Sequence, residues 1–234
     1  MKTLCVAVVV LSLISVCQPA PLTCEKLLKP VDKELEVTGT WYMIAVATES
    51  CLTTTIMNAL FELSAEIHIN ATDAPKVYST EYNIKLYQYC ITVTENFFYE
   101  KSAIFDVDVN NAPHGDAELV LQSGCPDCIV LLGDSFLNTT ILFSRRKTVT
   151  AAELKEFEAQ VECLGWSKPW VLQTDHEYKN CMSLDEFDGD GVADDLPDKI
   201  LKRLKTTYTM PLMCLATDVS EYWKSILDSL VELW

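Results

Sequence analysis

The chain has 234 residues, with 34 acidic residues against 18 lysines and arginines, so its formal net charge is −16. A surface of this sign repels nucleic acid and anionic membranes, which excludes both as expected partners. Hydrophobic residues make up 49% of the chain, enough for the core of one domain, and the length leaves room for an extension.

The first residues have the composition of a secretory signal peptide. Lys2 gives a positive start, and the uncharged apolar stretch from Leu4 to Val16 is too short to span a bilayer. We therefore expect residues 1–20 to be a signal peptide, cleaved after Ala20 or Cys17. No later apolar segment is long enough for a membrane span, so we expect a secreted, extracellular protein of plasma or another body fluid.

The cysteine count indicates a disulfide framework. Of the ten cysteines, Cys5 and Cys17 belong to the predicted leader, and the remaining eight are an even number in an oxidising compartment. Spacing alone does not give their pairing. The sequons at Asn70 and Asn138 agree with secretion and predict two glycosylated surface asparagines.

A series of short strand patterns follows the leader. The run from Trp41 to Ala47 alternates between two apolar sets, which predicts a strand with side chains packed on both faces. Similar runs, separated by turns, cover Ala59 to Ile69, Lys76 to Ile84, Gln88 to Thr94, Ser102 to Val109, Ala117 to Gln122, Cys128 to Leu132 and Thr140 to Arg145. Eight strands at this rhythm predict an all-β fold, an eight-stranded antiparallel up-and-down barrel that can hold one small ligand.

One amphipathic helix is predicted in the first 180 residues. Thr150 can cap it with Glu153 three residues later, and apolar residues follow at helical spacing. These are Leu154, Phe157, Val161 and Leu164. A short strand, Trp170 to Gln173, is predicted after the helix.

Several motifs in this order resemble those of the lipocalin family. Gly39-Thr40-Trp41-Tyr42 matches the lipocalin Gly-x-Trp signature, and Ser144-Arg145-Arg146 resembles the arginine segment before the family's helix. Glu162 to Cys181 is similar to the corresponding end of orosomucoid (alpha-1-acid glycoprotein), including the cysteine interval. Trp41 to Ala45 and Ser123 to Pro126 are similar to apolipoprotein M.

From Cys24 to Met182 the chain thus resembles the orosomucoid-like plasma lipocalins, which include saxitoxin- and tetrodotoxin-binding proteins. The resemblance implies a lipocalin barrel over residues 21–182, followed by an extension at 183–234. It also implies that Trp41 closes one end of the barrel, with Arg145 or Arg146 in a cation–π contact on its ring.

The resemblance further implies two disulfides, Cys24 with Cys163 and Cys90 with Cys181. Cys125 and Cys128 flank a Pro-Asp turn and are each other's nearest partners, so we favour a structural clip there over a redox motif. Cys51 and Cys214 then remain as the fourth pair by elimination.

The predicted ligand site is the set of side chains that face the barrel interior. Alternation from Trp41 places Met43 and Ala45 inside, and Cys90 has to face outward, which turns its neighbours inward. Similarity to orosomucoid places positions on two other strands inside. It also puts Glu81 near a matched acidic position, where a gap of one residue leaves its facing open. The predicted ligand-binding residues are Met43, Phe61, Leu63, Ala65, Ile67, Glu81, Tyr89, Ile91, Val93, Leu142 and Ser144. These side chains would fill the barrel solidly in the alternative interpretation, but their small and flexible members favour a cavity.

The functional expectation is a secreted carrier of a small hydrophobic or amphipathic ligand. The alternative is a secreted interaction protein, an inhibitor or immunomodulator, acting through the loops of the open end or a C-terminal helix. An enzyme is not expected, because the histidines His68, His114 and His176 have no metal-ligand spacing and no nucleophile motif accompanies them. No cofactor is expected.

The C-terminal extension carries two further patterns. Glu186, Asp188, Asp190 and Asp194 resemble the first half of a calcium loop, but Pro197 stands at the acidic twelfth position, so we favour a solvated acidic linker over weak calcium binding. The segment 217–234 has an apolar helical face. Its polar face is acidic, which disfavours a membrane surface, so we expect packing across the barrel or its open end, with a partner protein's groove as the alternative.

Overall fold

The structure is a computed structural model that describes residues 23–87, 89–133, 138–172, 176–178, 181–183, 196–207 and 214. The predicted signal peptide, the acidic loop at 186–194 and the predicted helix at 217–234 lie outside the described residues. None of the helices in the described part is long and apolar enough to cross a membrane.

The described strands form the predicted barrel. Each strand pairs with the next along the chain in antiparallel fashion, and the pairing of the first strand with the eighth closes the circle. The strands are β1 Gly39–Thr48, β2 Leu63–Ala71, β3 Val77–Leu86, β4 Tyr89–Glu100, β5 Ala103–Val107, β6 Pro113–Leu121, β7 Cys128–Gly133 and β8 Thr139–Ser144. Two short strands join the sheet, β9 Trp170–Val171 beside β1 and β10 Met182–Ser183 beside β4.

Four helices accompany the barrel in the described residues. They are α1 Cys24–Leu27, α2 Cys51–Leu60, α3 Ala151–Cys163 and α4 Leu196–Thr207. The predicted capping box of α3 is confirmed, because the Thr150 hydroxyl accepts from the Glu153 amide and the Glu153 carboxylate accepts from the Thr150 amide.

The helix α2 corrects the sequence analysis, which predicted one helix before residue 180 and a strand from Ala59. The sequence does not predict this helix because it contains three consecutive threonines, and β-branched residues have low helix propensity. Ser50 caps its start by accepting from the Thr53 amide, and the Thr55 hydroxyl donates back to the carbonyl of Cys51. The connection between β1 and β2 is thereby folded at the open end of the barrel.

The segment before β1 closes the other end. The Val31 amide donates to the Val120 carbonyl, and the Leu35 amide donates to the hydroxyl of Tyr99. Val37 is buried and packs against the barrel interior beside the ring of Trp41. The two ends are therefore unlike, because the segment before β1 covers the closed end and the helix α2 lies in a connection at the open end.

The C-terminal extension reaches the open end through α4. This helix packs against α2, where Arg203 donates to the main-chain carbonyl and the side-chain oxygen of Asn58 at 2.7 and 3.2 Å. A carbonyl in the last turn of a helix has no partner within the helix, so the guanidinium satisfies it. Cys214 bonds to Cys51 at the start of the same helix.

Four disulfides join the eight cysteines outside the predicted leader. They pair Cys24 with Cys163, Cys51 with Cys214, Cys90 with Cys181, and Cys125 with Cys128. These are the same pairs that the resemblance and the elimination argument give. Three of them close loops of 91 to 163 residues, for which the unfolded-state constraint is worth on the order of 3 to 5 kcal/mol each.

We expect the mature protein to contain no free thiol, because every cysteine outside the leader has a partner. Thiol titration of the denatured, unreduced protein purified from a secreting cell measures this directly. One or more reactive thiols per molecule would contradict the pairing and reopen the possibility of a catalytic cysteine.

Two hydrophobic clusters make up the core, one inside the barrel and one between the barrel and α3. A β-bulge in β1 between Met43 and Ala45 decides which residues enter each cluster. Met43 packs in the inner cluster, whereas Ile44 and Ala45 both pack in the outer cluster with Phe157 of α3. The expectation that Ala45 faces inward is therefore wrong, since an extra residue in a strand reverses the alternation that follows it.

Candidate functional site: the barrel cavity

A cavity of about 510 Å³ lies inside the barrel above the closed end. Its walls come from β1 to β8, with aromatic and aliphatic side chains below and carboxylates toward one side. The lining residues are Val37, Trp41, Ile67, Ile69, Thr80, Tyr82, Glu95, Asn96, Phe97, Ile104, Phe105, Asp106, Gly115, Asp116, Glu118, Ile129, Leu131 and Phe143. A cavity of this size and composition is typical of small-molecule sites, which span about 300 to 1,000 Å³.

Trp41 closes the lower end of this cavity in the way the resemblance implies. Its indole nitrogen donates to the Val37 carbonyl at 2.7 Å, and the guanidinium carbon of Arg145 lies 4.1 Å from its ring centroid. Arg145 also donates to the Glu36 carbonyl at 2.8 Å, which fixes the guanidinium across the ring. Gly39 permits this approach, since its φ is +100° and a Cβ there would lie 2.8 Å from the guanidinium.

The structure places part of the predicted ligand set on the inner face of the barrel. Ile67 lines the cavity, and Met43 packs against the inner cluster beside it. Leu63 and Ala65 share the face of Ile67 on β2 but are not among the described residues that line the cavity. Phe61 ends α2 and does not belong to a strand.

On β4 the predicted residues share a face with cavity residues farther along the strand. Tyr89, Ile91 and Val93 have the same alternation as Glu95 and Phe97, both of which line the cavity. The cavity does not extend to these three residues among those described. The prediction of inward facing agrees with the strand's alternation, while a contact with ligand stays a prediction.

Three members of the predicted set face outward, which corrects the sequence analysis. Leu142 packs under α3 in the outer cluster, and buried Ser144 on the same face accepts from the Arg146 amide. Their neighbour Phe143 is the β8 residue that lines the cavity. Glu81 is exposed on the outer face and accepts from the Asn83 side chain. A shift of one residue in strand register moves a side chain to the other face of the sheet, and sequence similarity to orosomucoid does not fix the register to one residue.

The sequence analysis missed most of the residues that line the cavity. Among them are the flanking positions on β3, the carboxylates of β4, β5 and β6, and the apolar residues Ile104, Ile129, Leu131 and Phe143. Thr80 and Tyr82 line the cavity on either side of the outward Glu81. Glu95 and Phe97 lie beyond the predicted end of the fourth strand at Thr94, because the pairing of β4 continues to Glu100. The alternation from Tyr89 continues through both residues and would have found them.

Burial and negative charge shape the chemistry of the cavity. Burial, with the nearby carboxylates of Glu95, Glu118 and Asp106, raises the pKa of the Tyr82 phenol to about 12. The Thr80 hydroxyl beside it lowers the pKa of the phenol, but burial and the carboxylates outweigh that effect. Burial also raises the pKa of the Glu118 carboxyl, and the charge of Asp106 adds to that shift. The phenol thus remains a neutral hydrogen-bond donor throughout the physiological range.

Metal chemistry finds no support in the part of the chain that the structure describes. No three histidine, cysteine, aspartate or glutamate side chains there converge on a common point at metal-binding distance. The weak calcium candidate formed by Glu186, Asp188, Asp190 and Asp194 lies outside the described residues.

No family model matches the chain, and no curated protein sequence matches it. Solved structures do match it. Rat epididymal lipocalin 12 is 12% identical with a TM-score of 0.52, over 66% of this chain and 95% of that chain. The siderocalin Ex-FABP, which functions through dual ligand specificities, is 15% identical with a TM-score of 0.48, over 60% and 95% of the two chains. The bovine lipocalin allergen Bos d 2 is 15% identical with a TM-score of 0.43, over 58% and 91%. With its closed antiparallel barrel and flanking helix, the chain has the lipocalin fold.

Proposed function

We propose that this protein is a secreted carrier that holds a small hydrophobic or amphipathic molecule inside its barrel. The observation that carries the proposal is the cavity of about 510 Å³, bounded below by the Trp41 and Arg145 pair. A barrel filled solidly by its side chains would leave no such space. We propose binding and not catalysis, since the cavity combines apolar walls with carboxylates and lacks a nucleophile paired with a base among the described residues.

The apolar wall is sufficient for useful affinity. A ligand that buries about 200 Å² of apolar surface at about 25 cal/mol per Å² gains roughly 5 kcal/mol before ordering costs. One charge-assisted hydrogen bond adds about 1.5 to 3 kcal/mol, which gives roughly 6.5 to 8 kcal/mol before the same ordering costs.

Secretion is supported by the four disulfides, which persist in oxidising compartments. The pairs Cys24 with Cys163 and Cys90 with Cys181 support, within the lipocalin fold, the orosomucoid-like group that the sequence resembles. The positions of the sequon asparagines support glycosylation, since Asn70 is exposed at the end of β2 and Asn138 is half-buried on the loop before β8. The Asn138 amide donates to the Glu49 carboxylate, so glycosylation there would replace a surface contact.

A second candidate function, binding to another protein, is favoured by exposed apolar side chains at the open end. Val109 at the tip of the β5–β6 connection is 99% exposed, and Ile56 and Met57 are exposed on α2. An apolar surface around the entrance suits an inhibitor or immunomodulator that acts through these loops, or a partner for the C-terminal helix. The two functions are compatible, since one uses the interior and the other the rim.

The carrier function predicts that the protein leaves a secreting cell with a small molecule inside. Native mass spectrometry of protein from its own fluid is expected to show a mass excess of a few hundred daltons that disappears on denaturation. Organic extraction then identifies the molecule. Protein that shows no mass excess, and that also fails to bind a neutral apolar fluorescent probe, would contradict the carrier function and favour the interaction protein.

A further inference from the structure

One edge of β4 lacks a partner strand over half of its length. β10 pairs with the first two residues of β4, and β5 pairs with the last four, from Phe97 to Glu100. Between these pairings lies the β4 edge, residues 91–96, and no described residue pairs with it on the side away from β3. β5 ends at Val107, so its hairpin with β6 does not reach this part of β4. The barrel wall is therefore open here over about 20 Å, at the usual rise per strand residue.

The β4 edge presents the main-chain groups of every second residue. The Tyr99 amide donates to the carbonyl of Lys76, the residue before β3. These groups alternate in direction along an antiparallel strand, so the odd-numbered residues of β4 bond to β3 and the even-numbered ones point to the open side. The amides and carbonyls of Thr92, Thr94 and Asn96 thus face a space that a further strand can enter, and all three residues are exposed.

The β4 edge also lacks the features that most often keep strand edges from pairing. Natural edges are protected above all by lysine, proline or a bulge, or are covered by another element. Residues 91–96 contain no lysine and no proline, and their register with β3 is unbroken. The same side of β4 accepts β10 at one end and β5 at the other, so its geometry allows strand addition. An edge of this kind can bind an extended peptide through main-chain hydrogen bonds.

The side chains along the β4 edge indicate which strand fits it. Ile91, Val93 and Glu95 lie on the face of β4 that turns to the cavity, and Val93 is 37% exposed. Glu95 and Asp106 are exposed carboxylates, and Asp106 lies in the last pair of β5 with β4. The odd-numbered residues form non-hydrogen-bonded pairs with an added strand, in which opposite side chains approach most closely. An added strand therefore meets carboxylates at one end and two apolar side chains beyond them.

We propose that the β4 edge binds an extended segment of a partner protein as an added antiparallel strand, with a basic residue opposite Glu95 and apolar residues opposite Val93 and Ile91. Charge favours a basic partner over a second copy of this chain, because two chains with a net charge of −16 each repel one another. Antiparallel addition is favoured because such pairs are slightly more stable per residue than parallel pairs. The inference goes beyond the carrier function, since it needs no ligand in the cavity.

The test uses capped, fluorescently labelled hexapeptides that match the length of the β4 edge. In antiparallel pairing, Thr-Lys-Thr-Val-Thr-Ile places its lysine opposite Glu95, its valine opposite Val93 and its isoleucine opposite Ile91. Fluorescence anisotropy with the full chain from a secreting cell is expected to show saturable binding. The same peptide with glutamate in place of lysine is expected to bind about tenfold more weakly, because like charges then lie opposite each other.

Methylation of single peptide amides separates strand pairing from other modes of binding. The three threonines of the peptide lie opposite Thr92, Thr94 and Asn96, so their amides bond to the β4 edge, whereas the valine amide points away from it. A methyl group on the amide of the central threonine is expected to weaken binding about tenfold. The matched control carries the methyl group on the valine amide and is expected to bind like the unmodified peptide.

Thr94→Pro tests the same contact from the side of the protein. It removes an amide that points to the open side and leaves the bonds between β3 and β4 in place, since the odd-numbered residues make those. Its affinity for the lysine peptide is expected to fall about tenfold. The control Thr94→Val keeps the amide and is expected to bind like the wild type. Thermal unfolding verifies that both variants are folded, and if Thr94→Pro is not, the two methylated peptides decide.

Glu95→Gln locates the basic residue of the added strand. It is expected to reduce the preference for the lysine peptide over the glutamate peptide about fivefold. The matched control is Glu81→Gln, which removes the same charge from the outer face. A preference that falls equally in both variants would assign it to the net charge of the protein and would overturn the proposed register.

Three further outcomes would overturn the proposal. The first is a lysine peptide that does not bind the wild-type protein. The second is equal binding of the two methylated peptides, which would place the peptide on another surface. The third is a dimer in sedimentation that Thr94→Pro abolishes, which would assign the β4 edge to a second copy of this chain. Binding of an apolar probe in the cavity is a separate measurement, so a failure of the carrier function is distinguishable from each of these.

Discussion

Ile67→Trp is expected to abolish binding of an apolar fluorescent probe, with a loss of at least about a hundredfold in affinity. Ile67 is 5% exposed, and its neighbours across the two adjacent strands are Trp41 and Tyr82, which also line the cavity. An indole at this position fills the middle of the cavity and removes the apolar surface that supplies most of the affinity, about 25 cal/mol per Å². Probe fluorescence against protein concentration measures the effect.

The matched control for this variant is Glu81→Trp, which adds the same ring to the outer face of β3. We expect it to bind the probe like the wild type, because Glu81 is exposed and only its neighbours Thr80 and Tyr82 line the cavity. Overpacking costs about 1 to 3 kcal/mol of stability, so thermal unfolding has to show that both variants are folded. Undiminished binding by folded Ile67→Trp would place the ligand site elsewhere.

The sequence predicted the architecture well because the barrel depends on repeated local patterns. Eight alternating runs separated by turn residues, a capping box at Thr150 and the helical spacing after it each specify an element without long-range information. The missed helix α2 has the opposite property. Its three threonines disfavour a helix locally, and its cap at Ser50 and its contact with α4 at Asn58 stabilise it.

The helix α4 was also missed, although its sequence pattern predicts a helix. Leu196, Ile200 and Leu204 recur at intervals of four residues, which is typical of an amphipathic helix. Its place in the molecule did not follow from that pattern. Arg203 reaches Asn58 only because the chain returns to the open end.

The cavity was harder to predict. Whether a side chain points into the barrel depends on the strand register, and an error of one residue reverses the answer. The bulge at Ile44 lies within a run where both faces are apolar, so nothing in the pattern marks the extra residue. The inward position of Glu118 could have been predicted, because Glu118 lies two residues before buried Val120 on the same face of β6. A charged residue in the inward set of a strand was the available signal for a polar region in the cavity wall.

Phe157→Ala is expected to lower the free energy of unfolding by about 3 to 5 kcal/mol, the usual cost of removing a buried phenylalanine side chain. Phe157 is 1% exposed in the outer cluster, between α3 and the β1, β7 and β8 strands. Urea unfolding with the disulfides intact measures the change. Lys155→Ala on the exposed side of the same helix is the control, with an expected change within about 0.5 kcal/mol.

Phe157 does not line the cavity, so the same variant separates the stability of the barrel from its binding site. In the absence of denaturant, folded Phe157→Ala is expected to bind the probe with nearly wild-type affinity. Cys24 keeps the end of α3 joined to the N-terminal segment through Cys163, so the helix stays tethered near the barrel when its packing is weakened. A stability loss below about 1 kcal/mol would mean that α3 contributes little to the core. A large loss of binding would mean that the helix supports the cavity wall from outside, which would couple the two clusters across β8.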